Sequence, residues 1–359
     1  MNHKSEKLSI APEEAIGRSF QWSAPSNIAL VKYWGKKSGV QIPTNPSVSL
    51  TLEHARTKAL LRVLDKSKAS EWISLKFGGQ NMPAFLPKIE KFFNLASTYF
   101  PAIKEMSFAL ETTNSFPHSA GIASSASSMA AIALCLVELE ETLLAKPYDK
   151  DDFFARASFL ARLGSGSACR SLYPYCASWG VHVGGGSDEI ASSLKPHALF
   201  LTMQDTILLV DQSEKKVSSR AGHGLMKGHL FGESRNTQAQ ANWVLACKWL
   251  EDGSWDMLGS LVEEEALSLH AMMMTSRPGY ILMKPDSLRI IEAVREFRIS
   301  TKTPLYFTLD AGPNVHLLYP ESEKEKVLSF IESKILGEIP SMKILKDCVG
   351  SGPKREAMI

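Results

Sequence analysis

A run of small and hydroxyl-bearing residues, Ser115-Phe-Pro-His-Ser-Ala-Gly-Ile-Ala-Ser-Ser-Ala-Ser-Ser128, stands directly before an apolar stretch that reads as a buried helix. Small side chains let the backbone approach an anion closely, and serine hydroxyls donate to it. The helix start behind them presents N–H groups and a favourable dipole. The combination suits a polyphosphate, with Ser119, Gly121, Ser124 and Ser125 forming the cradle. It equally suits a helix start that merely packs tightly. Neither a Walker loop, whose lysine is missing, nor a GxGxxG turn is present.

Three further segments carry donors or acids. Arg162-Leu-Gly-Ser-Gly-Ser-Ala-Cys-Arg-Ser-Leu-Tyr173 places Ser165, Ser167 and Arg170 just after a glycine-bearing bend. A guanidinium there could grip a carboxylate or phosphate through two parallel hydrogen bonds; a serine-rich helix cap is the plainer alternative. Around 24–37, an alternating strand delivers Asn27, Lys32, Tyr33 and Lys36 into a glycine-containing turn, a set of donors for an anionic ligand or simply solvated surface lysines. Thr308-Leu-Asp-Ala-Gly-Pro-Asn314 ends an apolar strand in Asp310, a candidate acid or base that could also be only a turn cap.

The elements that must position these residues are legible from periodicity. Strands are expected at 58–64, 107–112, 198–203, 207–211, 304–309, 315–319 and 343–346. Helices are expected at 84–99, 124–144, 151–163, 236–251, 255–274, 287–297 and 322–333. This is an α+β pattern. The 359 residues exceed what one core comfortably serves. The division expected is a loose tail over 1–19, a first unit over 20–212 and a second unit over 213–359, with a loop around 212–235.

Bulk composition narrows the partners. A net charge of +2 offers no field for nucleic acid or an anionic membrane, and 44% hydrophobic residues are those of a soluble globular chain. Five scattered cysteines make no disulfide framework or metal-finger spacing, and the nine histidines include no HExxH pair, so no protein-ligated metal is expected. His270 and His316 read as packing or substrate-neighbouring residues. The polar amino terminus points to the cytoplasm.

Taken together, the motifs NIALVKYWGK, PTNPSVSLTL, FPHSAGIASSAS, RLGSGSACRSLY, SSRAG, LHAMMMTSRPGY and TLDAGPNVHLLYP resemble, in order and spacing, those of the diphosphomevalonate decarboxylases of the GHMP kinase superfamily. The resemblance implies a two-domain fold with the active site in the cleft between the domains. The first domain would carry a left-handed βαβ unit and the second would be ferredoxin-like. It implies ATP-dependent decarboxylation of mevalonate 5-diphosphate to isopentenyl diphosphate through phosphorylation of the 3-hydroxyl. ATP and Mg²⁺ would serve, and the chain would be a homodimer. Asp310 would orient or deprotonate the hydroxyl, Arg170 and Asn27 would hold the carboxylate, and Lys32 would stand beside the transfer. Tyr33, Lys36, Ser165, Ser167, Ser219 and Arg220 would bind the substrate's diphosphate and backbone. The alternatives are a decarboxylase or kinase for a relative such as mevalonate 5-phosphate, and a silent nucleotide-binding module. The wording departs from the family's at Ser38-Gly39, His118 and Gly184-Gly185-Gly186, and most after Arg220, in GHGLMKGHLFGESR.

Overall fold

The structure, a computed structural model, describes residues 8–66, 72–117, 122–144, 146–213 and 217–357, with only the backbone at Lys66 and Arg220. In chain order the first part contains β1 (Ser19–Val31), β2 (Ser47–Lys66), β3 (Ile73–Phe77), β4 (Gln80–Asn81) and α1 (Leu86–Ala96). β5 (Met106–Asn114), α2 (Ser124–Leu143), α3 (Lys150–Gly164), β6 (Cys176–Trp179), β7 (Ala191–Leu194) and α4 (Ala198–Leu201) follow. The second part holds β8 (Gln204–Leu209), α5 (Ser219–Gly224), α6 (Gly232–Asp252), α7 (Trp255–Met274) and α8 (Pro285–Thr301). It closes with β9 (Tyr306–Thr308), β10 (Val315–Tyr319), α9 (Lys324–Phe330), α10 (Leu336–Glu338), β11 (Lys343–Cys348) and β12 (Lys354–Arg355).

The first sheet runs β12-β1-β2-β5-β3-β4, with β6 on β2 and β7 on β6. β3 and β5 lie parallel across α1, which supplies a βαβ unit. The middle of helix α2, 129–137, is apolar all round because it is surrounded: Leu134, Leu136 and Val137 are each fully buried, a contribution of roughly 1.5–3 kcal/mol per side chain. α3 is set by its cap, where the Asp149 carboxylate accepts from the Asp152 N–H at 2.8 Å. Its far end releases the chain at Ser165.

The second sheet is antiparallel in the order β11-β8-β10-β9. Numbered within that unit, the order is fourth, first, third, second, the ferredoxin-like arrangement that the resemblance implies. β1 joins both units. Phe20, Trp22 and Ala24 pack with α2 in one core, while Ile28, Leu30 and Val31 share another with Ala239 of α6 and Leu258 of α7. β1 is covered on both sides and buried at every position after its first, and its buried polar side chains are partnered: Ser26 Oγ donates to the Ile122 carbonyl at 2.6 Å and Asn27 Nδ2 to the Ser167 carbonyl at 3.2 Å.

Three expectations are corrected. Residues 198–203 form no strand: the chain turns into α4 because His197 Nδ1 accepts the Leu199 N–H at 3.2 Å, a local cap that outweighs β-propensity. β8 lies before position 212 yet hydrogen-bonds into the second sheet, so the boundary at 212 is drawn too late. The stretch 8–19 is not wholly a loose tail, since Ser9 and Ile10 donate their N–H groups to the Leu143 carbonyl and Ala15 is fully buried.

Candidate active site

A cleft of about 480 Å³ opens where the end of β1, the start of α2 and the end of α3 meet α5 and the turn after β9. Lys32 leaves β1 almost wholly buried. Its ammonium pairs with Asp310 Oδ1 at 2.9 Å and donates to the Ala29 carbonyl at 2.7 Å. The Lys32 peptide is clamped as well: its N–H donates to Glu265 Oε2 at 2.8 Å and its carbonyl accepts from Asn45 Nδ2 at 2.9 Å. Glu265, fully buried, also accepts from both terminal nitrogens of Arg235 and from Asn242. A buried carboxylate needs that many donors. The result fixes Lys32 from the second unit while its ammonium reaches into the cleft.

Asp310 stands two residues beyond β9. Gly312 N–H closes the turn onto the Asp310 carbonyl at 2.7 Å, and His270 Nε2 lies 3.1 Å from the same oxygen. Backbone atoms thus make the turn, while the carboxylate faces Lys32 with about a quarter of its side chain exposed, 27%. A substrate hydroxyl can reach it. His316, by contrast, is buried against Asp205 at 2.8 Å.

Arg170 sits in the tight helical turns Gly166–Leu172 that follow α3. Nη1 donates to Ser47 Oγ at 2.6 Å, Nε to Ser49 Oγ at 2.9 Å and Nη2 to Asn27 Oδ1 at 3.3 Å. Burial lowers its pKa, and the neighbouring Cys169 and Asp310 oppose that shift. Asn27 donates in turn to Ser171 Oγ at 2.7 Å, and it does not line the cleft. It holds the guanidinium from behind. Cys169 is a free, buried thiol.

The start of α2 carries no side-chain cap, and Ala123 before it adopts a left-handed φ of 40°. Ser124 and Ser125 line the cleft there, and Ser125 Oγ lies 3.1 Å from Ser165 Oγ. A helix start of this kind presents unpaired N–H groups and a positive dipole end to the cleft. Glycine is required beside it, because a Cβ on Gly166 would come within 2.9 Å of the Tyr33 hydroxyl and the Trp179 ring. Tyr33, Lys36, Ser167 and Ser219 complete the wall. The Tyr33 hydroxyl is buried with no protein partner among the described residues, and burial raises its pKa far enough to keep it a donor. Ser119 and Gly121 lie outside the described residues, as does the Arg220 side chain.

Lys88, Gln41, Ser218 and His223 also line the cleft, and none was singled out by the sequence. Two had a signal: Ser218 opens the motif SSRAG, and His223 lies in the segment where the wording departs. Arg235 and Glu265 could have been suspected as charges at inward-facing helical positions.

Sequence profiles for the "Diphosphomevalonate decarboxylase-like N-terminal domain" and the "Mevalonate 5-diphosphate decarboxylase C-terminal domain" match residues 24–191 and 206–350. The chain belongs to the diphosphomevalonate decarboxylase family. A diphosphomevalonate decarboxylase from Candida albicans is 29% identical, over 92% of this chain and 96% of that protein. A mevalonate diphosphate decarboxylase from Staphylococcus aureus superposes with a TM-score of 0.83 at 28% identity, covering 96% of this chain and all of the other. The solved complex of MDDEF with MVAPP, AMPPCP and magnesium does so at 0.80 and 28%, covering 95% and 99%. The α+β, two-unit architecture is that of this decarboxylase family within the GHMP kinase superfamily. Among the described residues, no helix is long and apolar enough to cross a membrane.

Proposed function

We infer that this chain uses ATP to phosphorylate the tertiary 3-hydroxyl of mevalonate 5-diphosphate and then expels phosphate and carbon dioxide, leaving isopentenyl diphosphate. The observation that carries it is the Lys32–Asp310 pair at 2.9 Å, sharing a cleft with Arg170 and the uncapped start of α2. Asp310 takes the hydroxyl proton as the oxygen attacks the terminal phosphorus of ATP, whose bond to the β–γ bridging oxygen breaks so that ADP leaves. Lys32 offsets the charge that moves, and Ser124 and Ser125 cradle the nucleotide phosphates. Arg170 holds the carboxylate while the C–O bond to phosphate breaks. Its C–C bond electrons then form the new double bond as carbon dioxide leaves.

The lining also fits magnesium, since Ser124, Ser125 and Asp310 offer the hard oxygens it takes alongside phosphate. When bound, the ion supplies neutralisation of phosphate charge. Purified chain with Mg²⁺, ATP and mevalonate diphosphate is expected to release ADP, phosphate and carbon dioxide in equal amounts. ADP without carbon dioxide would make it a kinase, and no ADP at all a silent binding module. Equal turnover of mevalonate 5-phosphate would shift the substrate. The homodimer implied by the family resemblance belongs to the same proposal and is read by sedimentation.

A further inference from the structure

His223 lies on α5, in the segment where the motif wording departs, and its ring forms part of the cleft wall. Two rings hold it in place: Tyr33 with centroids 4.4 Å away and Trp34 at 4.5 Å. Its Nδ1 accepts the Gly35 backbone N–H at 3.0 Å. An imidazole nitrogen that accepts carries no proton, so in the neutral ring the proton is on Nε2. Nε2 meets no protein acceptor among the described residues. Gly222 lets the helix come this close, for a Cβ there would stand 2.7 Å from the Trp34 ring.

We propose that His223 is a specificity-determining residue whose Nε2–H is donated to the terminal phosphate of a diphosphate substrate, letting the cleft prefer it over the monophosphate. The inference rests on the substrate class given under the proposed function. The His223 ring packs on Tyr33, and Tyr33, Lys36 and Ser219 are the residues to which the family resemblance gives the substrate's diphosphate, so His223 addresses that end of the bound molecule. Lys36, Tyr33 and Ser219 stand on the same wall. Burial, and then the Lys36 ammonium, pushes the imidazole down to about 3. The ring is therefore a neutral donor of fixed tautomer at any working pH. Such a donor rewards an anion that reaches it and penalises a shorter ligand that leaves it unsatisfied.

Two amides separate the roles of the two ring nitrogens. In His223→Asn the shorter side chain can still accept from Gly35 but cannot reach the ligand. In His223→Gln the amide nitrogen stands near the former Nε2. Calorimetric titration of the full chain with mevalonate diphosphate, mevalonate 5-phosphate and Mg²⁺-ATP reads the outcome. His223→Asn is expected to raise the Kd for the diphosphate about tenfold or more, the loss of one hydrogen bond to a charged group. Its Kd for the monophosphate and for ATP should move by less than about threefold, and His223→Gln should recover most of the discrimination. Equal weakening of both mevalonate ligands, unchanged discrimination in His223→Asn, or a Gln variant no better than Asn would overturn the proposal. Carbon dioxide release by the unaltered chain is scored separately. Its absence would sink the proposed function, whereas its presence with undisturbed discrimination in His223→Asn would sink only the role of His223.

Discussion

Asp310→Asn should lower kcat by on the order of 10²-fold or more, with a far smaller change in ATP binding and an unfolding midpoint close to that of the unaltered chain. The geometry separates this from a structural effect. The turn at Gly312 is closed by the Asp310 carbonyl, which the substitution keeps, and the asparagine oxygen can still accept from Lys32 Nζ. What disappears is the charge and the basicity. If the carboxylate both orients the 3-hydroxyl and takes its proton, no other carboxylate lining the cleft can replace it, for Asp310 is the one acidic residue among those described there. Steady-state turnover, calorimetric ATP titration and thermal unfolding check the three parts. A variant with near-normal kcat and an unchanged midpoint would remove Asp310 from the chemistry and leave it a turn residue.

The helices and motifs were largely legible in the sequence because their information is local. The span 255–274 coincides with α7, and 124–144 differs from α2 by one residue, since an uninterrupted apolar period fixes a long helix. Ten of the fourteen residues named for the site lie on one cleft: Lys32, Tyr33, Lys36, Ser124, Ser125, Ser165, Ser167, Arg170, Ser219 and Asp310. Relations across the chain were not legible. Nothing near β8 announces which sheet it will join, because strand pairing is decided by partners more than 100 residues away, such as Leu317 opposite Thr206. The clamp of Glu265 on the Lys32 peptide spans 233 residues, and its energy comes from burial that no window of sequence reports. His223 carried a signal of difference without a direction. Its role needed Gly35 and two rings beside it.

Arg170→Lys keeps the positive charge and should still lower kcat/KM for mevalonate diphosphate by on the order of 10²-fold, while uncoupling the two half-reactions. The guanidinium is a fixed fork whose Nε, Nη1 and Nη2 satisfy Ser49, Ser47 and Asn27 in three directions, in a setting that leaves it almost no exposure. A lysine ammonium reaches one of these at best. The groups left unsatisfied each cost about 1–3 kcal/mol, so the unfolding midpoint should fall by several degrees, unlike that of Asp310→Asn. Stability loss alone would lower ADP and carbon dioxide formation together. The carboxylate role predicts more: phosphoryl transfer depends on Asp310 and Lys32, which the substitution leaves in place, whereas departure of carbon dioxide depends on the grip that is lost. In a single turnover below the unfolding midpoint, ADP should therefore form ahead of carbon dioxide and exceed it. Equal formation of the two at every time point would show that Arg170 only supports the fold around the cleft, and would return the decarboxylation step to some other residue on its wall.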